Sequence, residues 1–376
     1  MFNSQVGLDI GSSHVRAVEC VSNKKTRIGK ITKAAEVQLP RGAVAAGEIH
    51  DTEAVSQALV MLWKEGRFSK TRICAGVSGE NTLVRQVELP WEKPDLFRSA
   101  LPLRLGNELP VEPFAVALDY YPIRERIFKS VLMQEALVAG ALNATVMKIE
   151  KSTKAAKLLL RKVDYIPYAL LRTSQSYRAA HPDIDASEEY DSESTEGQVI
   201  VNVGSNITEV IVHRGDLPLF IRTTVVGSDA VTKALSEKLG IPLPAADRLK
   251  EALGLQSLGQ TVDLEQVLQE TRVSPSLVRP SQQIINVMAS ALVQNVRDTV
   301  EYYLNLSNDV YAINHVSLMG GGSLLTGYQE RLQGELNAPV HMVNPLHAFG
   351  VKQVQEDEKY YNGVDYCTAY GLAVKI

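Results

Sequence analysis

A strand that runs into a glycine turn occurs twice in this chain, at an offset of 193 residues: Leu8 to Ser13 reads LDIGSS and Val201 to Asn206 reads VNVGSN. Each copy follows an apolar run, Val6 to Ile10 and Val199 to Val203, and precedes alternating residues, which is the pattern of a β-hairpin. A turn of Gly, Ser and Ser or Asn has no bulky side chain to hold an anion off, and its backbone N–H groups and hydroxyls can point at one set of oxygens. Two such turns facing each other would clamp one polyphosphate. Taken singly, each reads first as a plain connection between neighbouring strands, and it is the duplication at domain spacing that points to phosphate.

The 376 residues, 45% hydrophobic and 22% charged, suffice for two or more cores of an ordinary globular protein. A net charge of -4 gives no electrostatic reason to approach nucleic acid or an anionic membrane, so nucleic acid is not expected as a partner. No apolar run reaches the roughly 18 residues of a membrane span, and a strand opens by Val6, leaving no room for a signal peptide. A cytoplasmic chain with no membrane insertion of its own is the expectation. Cys20, Cys74 and Cys367 stand singly, without CxxC spacing, so buried thiols are expected in place of a zinc site or disulfides.

Further strand-like runs at Ile73 to Val77, Val131 to Gly140, Val210 to Val212 and Val316 to Met319 alternate with helical patterns, as in an α/β protein. The spacing predicts a helix over about Gln283 to Leu304, with Ile284, Met288, Leu292, Val296, Val300 and Leu304 on its core face and Arg297 paired with Glu301. A second is predicted from near Ser228 to Gly240, and a third over Ala245 to Leu253. Between His181 and Gly197 lie seven acidic residues and no Lys or Arg, which reads as a mobile linker between two halves. An acidic docking tail is the other reading.

Asp9 closes the first strand, where a carboxylate can orient waters around a bound Mg2+. Arg16, on the returning strand, is placed to aim its guanidinium at the same phosphates as Gly11, Ser12 and Ser13. The second copy supplies Gly204, Ser205, Asn206 and Thr208, but Asn202 stands where the first has Asp9, and an amide cannot accept a proton. A third cluster, Gly320, Gly321, Gly322 and Ser323, follows the strand at Val316, where glycines allow either a phosphate or a flat ring to approach the backbone or simply a strand-to-helix turn. Asp247 and Lys250 share a helix face and could reach a ribose or adenine edge, or form a surface ion pair. No general base, GxSxG, Walker motif or histidine metal spacing is present, so no catalytic residue is nominated.

In order, a first hairpin with Asp9, a second ending in Gly204 to Thr208, a triple glycine after a strand and a closing GLA at Gly371 to Ala373 resemble the actin-like ATPase superfamily. VSGENTLVRQVELP from Val77, NELPVEPFAVALDYYPI from Asn107, VGSDAVTKAL from Val226, AADRLK from Ala245 and APVHMVNPL from Ala338 are similar to the type IV pilus PilM family, a branch shared with FtsA. That resemblance implies an α/β, actin-like ATPase fold of two RNase H-like lobes with an FtsA/PilM-type small α/β insert of βαβ type in the first lobe, and ATP with Mg2+ in the cleft between lobes. The implied division is a first lobe at 1–80, the insert at 81–165, a return with the acidic linker at 166–198, a second lobe at 199–226 and 275–345, its helical subdomain at 227–274, and a C-terminal return to the first lobe at 346–376.

The resemblance also implies a cytoplasmic scaffold of a type IV pilus or related secretion platform. Its partner would be the cytoplasmic N-terminal tail of a PilN-like bitopic protein, which would hold it at the inner face of the cell membrane, with self-association possible. The chain departs from the family pattern at Asn202, at Gly227, Ser228 and Asp229 in place of GGD, and at the apolar Pro167 to Leu171 stretch. ATP binding with weak or absent turnover is therefore expected. An FtsA-like division protein would need an amphipathic C-terminal helix after the GLA segment, and a sugar or acid kinase would need a catalytic Asp; neither feature is read here.

Overall fold

The structure is a computed structural model that describes residues 3–22, 28–106, 112–182, 195–255, 269, 271, 273–307, 310–355 and 363–374. Two compact units divide the chain, one of Met1–Arg172, Asp216–Ile221 and Thr368–Ile376, the other of Thr173–Gly215 and Arg222–Cys367. Most of the acidic stretch read as a linker, residues 183–194, lies outside the described residues, as do residues 107–111 of the NELPVEPF segment.

In the first unit β1 (Asn3–Ile10), β2 (His14–Ser22) and β3 (Gly29–Gln38) form an antiparallel meander. A two-rung ladder of β4 (Val44–Ala45) and β5 (Glu48–Ile49) leads into α1 (Thr52–Glu65). The Asp51 side chain starts that helix by accepting from the N–H groups of Glu53 and Ala54 at 3.0 and 2.9 Å, which satisfies donors the first turn leaves open. The chain continues through β6 (Arg72–Val77), β7 (Thr82–Pro90), α2 (Pro94–Arg104), a 3-10 turn at Pro113–Ala115, β8 (Val116–Phe128), β9 (Val131–Leu142), α3 (Asn143–Ala155), β10 (Leu159–Tyr165) and α4 (Ile166–Ala180). β6 runs parallel to β1 and β10 parallel to β6, giving the order β10-β6-β1-β2-β3. Val6 and Leu8 of β1 pack into a core with Val55, Leu59 and Leu62 of α1 and Ile149 of α3.

The insert is smaller than the expected 81–165 and is not a simple βαβ unit. β7 and β8 are joined through α2 as a βαβ unit would be, but β9 lies between them, antiparallel to both. The inserted sheet ends at Leu142, because β10 pairs with β6 and so belongs to the main sheet. Val87, Ala136 and Val138 of the insert close over Phe97 and Leu101 of α2 as a separate small core.

The second five-stranded sheet repeats the topology of the first. β11 (Glu196–Val203), β12 (Thr208–Arg214) and β13 (Leu217–Thr224) are followed by α5 (Asp229–Leu239), α6 (Leu243–Leu253), α7 (Pro275–Leu306), β14 (Ala312–Met319), a 3-10 turn at Gly321–Leu324, α8 (Tyr328–Leu336) and β15 (Val340–Met342). The sheet order is β13-β12-β11-β14-β15, with β14 and β15 parallel. β11, β12 and β14 are buried on both faces, hence their near-continuous Val, Ile and Leu runs.

The helix predicted from Gln283 begins eight residues earlier, at Pro275, where a proline costs no hydrogen bond, and passes through Pro280. Its buried stripe is Ser281, Ile285, Ala289, Leu292, Val296 and Val300, so Ile284, Met288 and Leu304 are not core. A strict four-residue repeat drifts roughly 40° per step on a helix of 3.6 residues per turn, and so leaves any one face within a few steps. The Arg297–Glu301 pair is present at 2.9 Å, joined by Glu335 of α8 at 3.1 Å.

After β15 come α9 (Pro345–Phe349), α10 (Lys352–Gln355), a 3-10 turn at Gly363–Tyr366 and α11 (Cys367–Ala373). The return to the first unit therefore falls at Thr368 and not at 346. Up to that point the segment is held in the second unit by buried Leu346, Phe349 and Val364, and by the Gly320 N–H donating to the Val364 carbonyl at 3.2 Å. α11 carries the return, with the Leu372 carbonyl accepting from Gln5 Nε2 and the Tyr370 hydroxyl from the Gly29 N–H, both at 3.2 Å. All three cysteines are free and buried.

Candidate functional site

The two glycine turns are built alike. In the first, the Gly11 N–H donates to the His14 carbonyl at 3.0 Å; in the second, the Gly204 N–H donates to the Ile207 carbonyl at 2.8 Å. The 193-residue offset also holds across the rungs, for Asp9 faces Arg16 and Asn202 faces Glu209. Residues opposite each other in an antiparallel ladder share a face, so each turn is flanked by one polar pair.

At the first hairpin Arg16 Nε lies 2.8 Å from Glu36 Oε2 of β3, which orients the guanidinium across the sheet. The Ser13 carbonyl accepts from the Leu39 N–H at 2.8 Å, and the Ser13 hydroxyl is 3.1 Å from His14 Nδ1. Burial, helped by the Arg16 charge and opposed by Glu36, holds the His14 imidazole below its ordinary pKa, so this turn carries no added positive charge at neutral pH.

At the second hairpin Asn202 Nδ2 donates to Glu209 Oε2 at 2.6 Å, and both residues are buried. Glu209 was not singled out from the sequence; the signal that would have found it is the same offset applied to Arg16. The turn's carbonyls serve α5: Gly204 O accepts from Ser228 N–H at 3.0 Å and Ser205 O from Asp229 N–H at 2.9 Å, satisfying donors at the helix start. Asn206 Nδ2 is 3.4 Å from Asp229 Oδ2, and the Thr208 hydroxyl donates to the Val226 carbonyl at 2.8 Å. Gly227 is required here, because a Cβ on it would lie 2.4 and 2.5 Å from the Gly204 and Ser205 carbonyl oxygens.

The triple glycine meets this hairpin. A Cβ on Gly320, whose φ is +82°, would fall 2.5 Å from Val203 O and 2.6 Å from Asn202 Oδ1; one on Gly322 would fall 2.6 Å from Val203 Cγ1. Gly321 faces Asp365 in the same way, at 2.7 Å, and the buried Ser323 hydroxyl donates to Gly320 O at 2.6 Å. What these glycines admit is the protein's own strand end and Asp365, a use that sequence alone did not separate from ligand approach. Asn202, Gly204, Ser228 and Gly320 to Gly322 thus form one corner of the second unit.

Asp247 and Lys250 of α6 are engaged with Thr232 of α5. The Thr232 hydroxyl donates to Asp247 Oδ1 at 2.7 Å, and Lys250 Nζ lies 3.0 Å from Thr232 and 3.3 Å from Asp247. The pair fastens two helices together. After Val163, Ala169, Leu170 and Leu171 are buried and the Tyr168 hydroxyl donates to the Leu137 carbonyl at 3.2 Å, which leaves this stretch apolar. Asp164 beside it is salt-bridged to Arg172 at 2.7 Å and Lys162 at 3.1 Å, and Arg172 also donates to the Gly371 carbonyl at 2.8 Å. Burial works to raise the Asp164 pKa, but the two cations outweigh it and hold the carboxyl below its ordinary value.

Among the described residues no three His, Cys, Asp or Glu side chains gather as a metal cage. A Mg2+ ion would therefore meet no ready-made cage among the described residues and would have to bring other oxygen ligands with it. No helix among the described residues is long and apolar enough to cross a membrane.

The family model described as type IV pilus assembly protein PilM matches residues 7–270, about seven tenths of the sequence. The chain belongs to the PilM family. A model for the cell division protein FtsA matches residues 199–371, within which the PilM insert does not fall. Among solved structures, a PilM–PilN type IV pilus biogenesis complex is similar at 21% identity with a TM-score of 0.77, over 99% of this chain and 98% of that one. The ethanolamine utilization protein EutJ from Carboxydothermus hydrogenoformans follows at 12% identity and TM-score 0.55, covering 99% and 89%. MreB 5 of Spiroplasma citri bound to AMPPNP stands at 11% and 0.50, covering 98% and 94%. The repeated sheet order therefore belongs to an actin-like ATPase fold of two RNase H-like lobes, with the PilM-type insert in the first.

Proposed function

We propose that this chain is the actin-like scaffold of a type IV pilus or related secretion platform, and that it binds the cytoplasmic N-terminal tail of a PilN-like membrane protein. The PilM family match over residues 7–270, which includes the whole inserted sheet, carries the reading. The PilM–PilN neighbour supports the choice of partner. Localisation follows from it: a chain held at the inner face of the membrane through that tail. Passing this chain over an immobilised tail peptide of the PilN-like protein should retain it, and a scrambled peptide should not. Equal recovery on both would overturn the partner assignment.

The same scaffold is proposed to bind ATP with Mg2+. Gly11, Ser12, Ser13 and Gly204, Ser205, Asn206 would contact phosphates and Asp9 the waters of the ion. MgATP at one hundred times its dissociation constant should stabilise the native state by about 2.7 kcal/mol, read as a rise in melting temperature. Asp9→Ala should remove the magnesium-dependent part of that rise, and an unchanged rise would reject its role. Turnover is proposed to be weak, because Asn202 cannot accept a proton and the Pro167 to Leu171 stretch places no polar group to orient water. Asn202→Asp should release phosphate faster than the wild-type chain; equal rates would reject the assignment.

A further inference from the structure

Beyond the rung Pro90↔Met133, where β7 ends, β8 and β9 run on as a two-stranded finger through Ile127↔Leu132 and Phe128↔Val131. These four side chains are 77%, 40%, 52% and 48% exposed in that order. Successive rungs of a ladder point to opposite faces, so Ile127 and Leu132 cover one face of the finger while Phe128 and Val131 cover the other. A flat protein surface would bury only one of these. An occupant that surrounds the tip would bury both.

The turn that closes the finger favours a charged surface as that occupant. Lys129 and Ser130 both have positive φ, 48° and 65°, in a position where Asn-Gly is the unstrained choice. Lys129 sets an exposed cation at the extremity, with its Nζ 5.3 Å from the Phe128 ring centre. The arginines behind the tip are spent internally, Arg124 on Glu135 and Arg126 on Glu88. Trp91 stands at the base, its backbone N–H on the Leu132 carbonyl and its indole N–H on Glu125, each at 2.8 Å. An apolar ring with one hydrogen-bonded edge suits the level where lipid meets water. Two rungs and the turn reach about 10 Å at roughly 3.3 Å per residue, comparable with the ~5–10 Å depth of interfacial insertion.

We propose that the β8–β9 finger docks on an anionic lipid surface, with Ile127, Phe128, Val131 and Leu132 dipping below the headgroups and Lys129 reaching back to their phosphates. This departs from the sequence expectation that the chain has no membrane insertion of its own and is not drawn by its net charge to an anionic membrane. It is independent of the partner and nucleotide readings, since no partner or nucleotide enters its test.

The chain has two tryptophans, so full-length protein carrying Trp63→Phe reports on Trp91 alone. Mixed with vesicles of phosphatidylglycerol in phosphatidylcholine, it should float with the lipid and its Trp91 emission should move to the blue. Ile127→Ser with Phe128→Ser should weaken flotation by about tenfold or more. Lys129→Gln should weaken it by about fivefold on the anionic vesicles and leave phosphatidylcholine alone unaffected. These residues are exposed, so an unchanged melting temperature shows that the variants fold. No flotation of the wild-type finger, or equal flotation of the double variant, would overturn the proposal. So would a double variant that loses only self-association in sedimentation, which would assign the finger to a second copy of the chain.

Discussion

At the first hairpin a carboxylate, Asp9, stands opposite a guanidinium, Arg16; on the same rungs 193 residues later an amide, Asn202, stands opposite a carboxylate, Glu209. The turns close with the same hydrogen bond and similar lengths, 3.0 and 2.8 Å, so the backbone form is shared while the charge is not. The difference extends to what each turn holds. The first ties to its own sheet through Ser13 and Leu39, whereas the second gives its carbonyls to the start of α5 and its strand end to the triple glycine. Repetition fixes a scaffold; the side chains on it decide whether it carries charge or anchors neighbours.

The largest effect that tests this contrast lies at the last strand of each sheet. In the first, Asp164 is buried against Arg172, with side chains 10% and 8% exposed; in the second, two imidazole rings meet instead, His341 stacked on His315 at 5.1 Å. Asp164→Ala leaves Arg172 without that carboxylate and should cost about 3–5 kcal/mol in urea unfolding at pH 7. Because the folded pKa of Asp164 is depressed, its contribution is present above the unfolded carboxyl value and is lost as pH falls through the folded value. The gap between wild type and variant should therefore close under acid conditions. A gap constant with pH would show that the loss is one of packing.

Next in size is Gly227→Ala, which sets a methyl against two backbone carbonyls of the second hairpin and should cost about 1–3 kcal/mol. Gly11→Ala, whose Cβ meets only the His14 carbonyl at 3.0 Å, should cost less. The reverse order in thermal melts would break the claim that the second hairpin is the anchoring one.

Asn202→Asp puts a second carboxylate beside Glu209 and should cost about 1–2 kcal/mol at pH 7 without magnesium. The shared site raises one folded pKa above its unfolded value, so this loss is full at high pH and shrinks as pH falls through the raised value. Adding Glu209→Gln restores a single charge and should recover wild-type stability. Failure of that rescue would show that position, and not charge, distinguishes the two hairpins.

The smallest expected effect is at the first turn, where His14 has Ile207 as its counterpart. Its pKa is depressed, so the stability it contributes in neutral form is lost as pH falls from the ordinary histidine value through the folded one. His14→Asn should flatten the slope of melting temperature between pH 7 and pH 5 slightly. An unchanged slope would place that pH dependence elsewhere.

Sequence alone determined β1, β6, β9, β11, β12 and β14, the two hairpins and the α5 and α6 helices, because apolar periodicity and glycine turns are written locally along the chain, and the order and wording of its motifs carried the resemblance to the family. It also carried the Arg297–Glu301 pair, whose partners are one helical turn apart. Only tertiary structure decided that β9 lies between β7 and β8, that the return to the first unit waits until Thr368, and that α7 buries Ile285 and Ala289 in place of Ile284 and Met288. It alone showed that Gly227 and Gly320 make room for the protein's own backbone, and that Glu209 completes the second polar pair. Strand order, close approach and the rotation of a long helix depend on which distant surfaces meet, and residues far apart in sequence carry no local mark of the neighbour that will reach them.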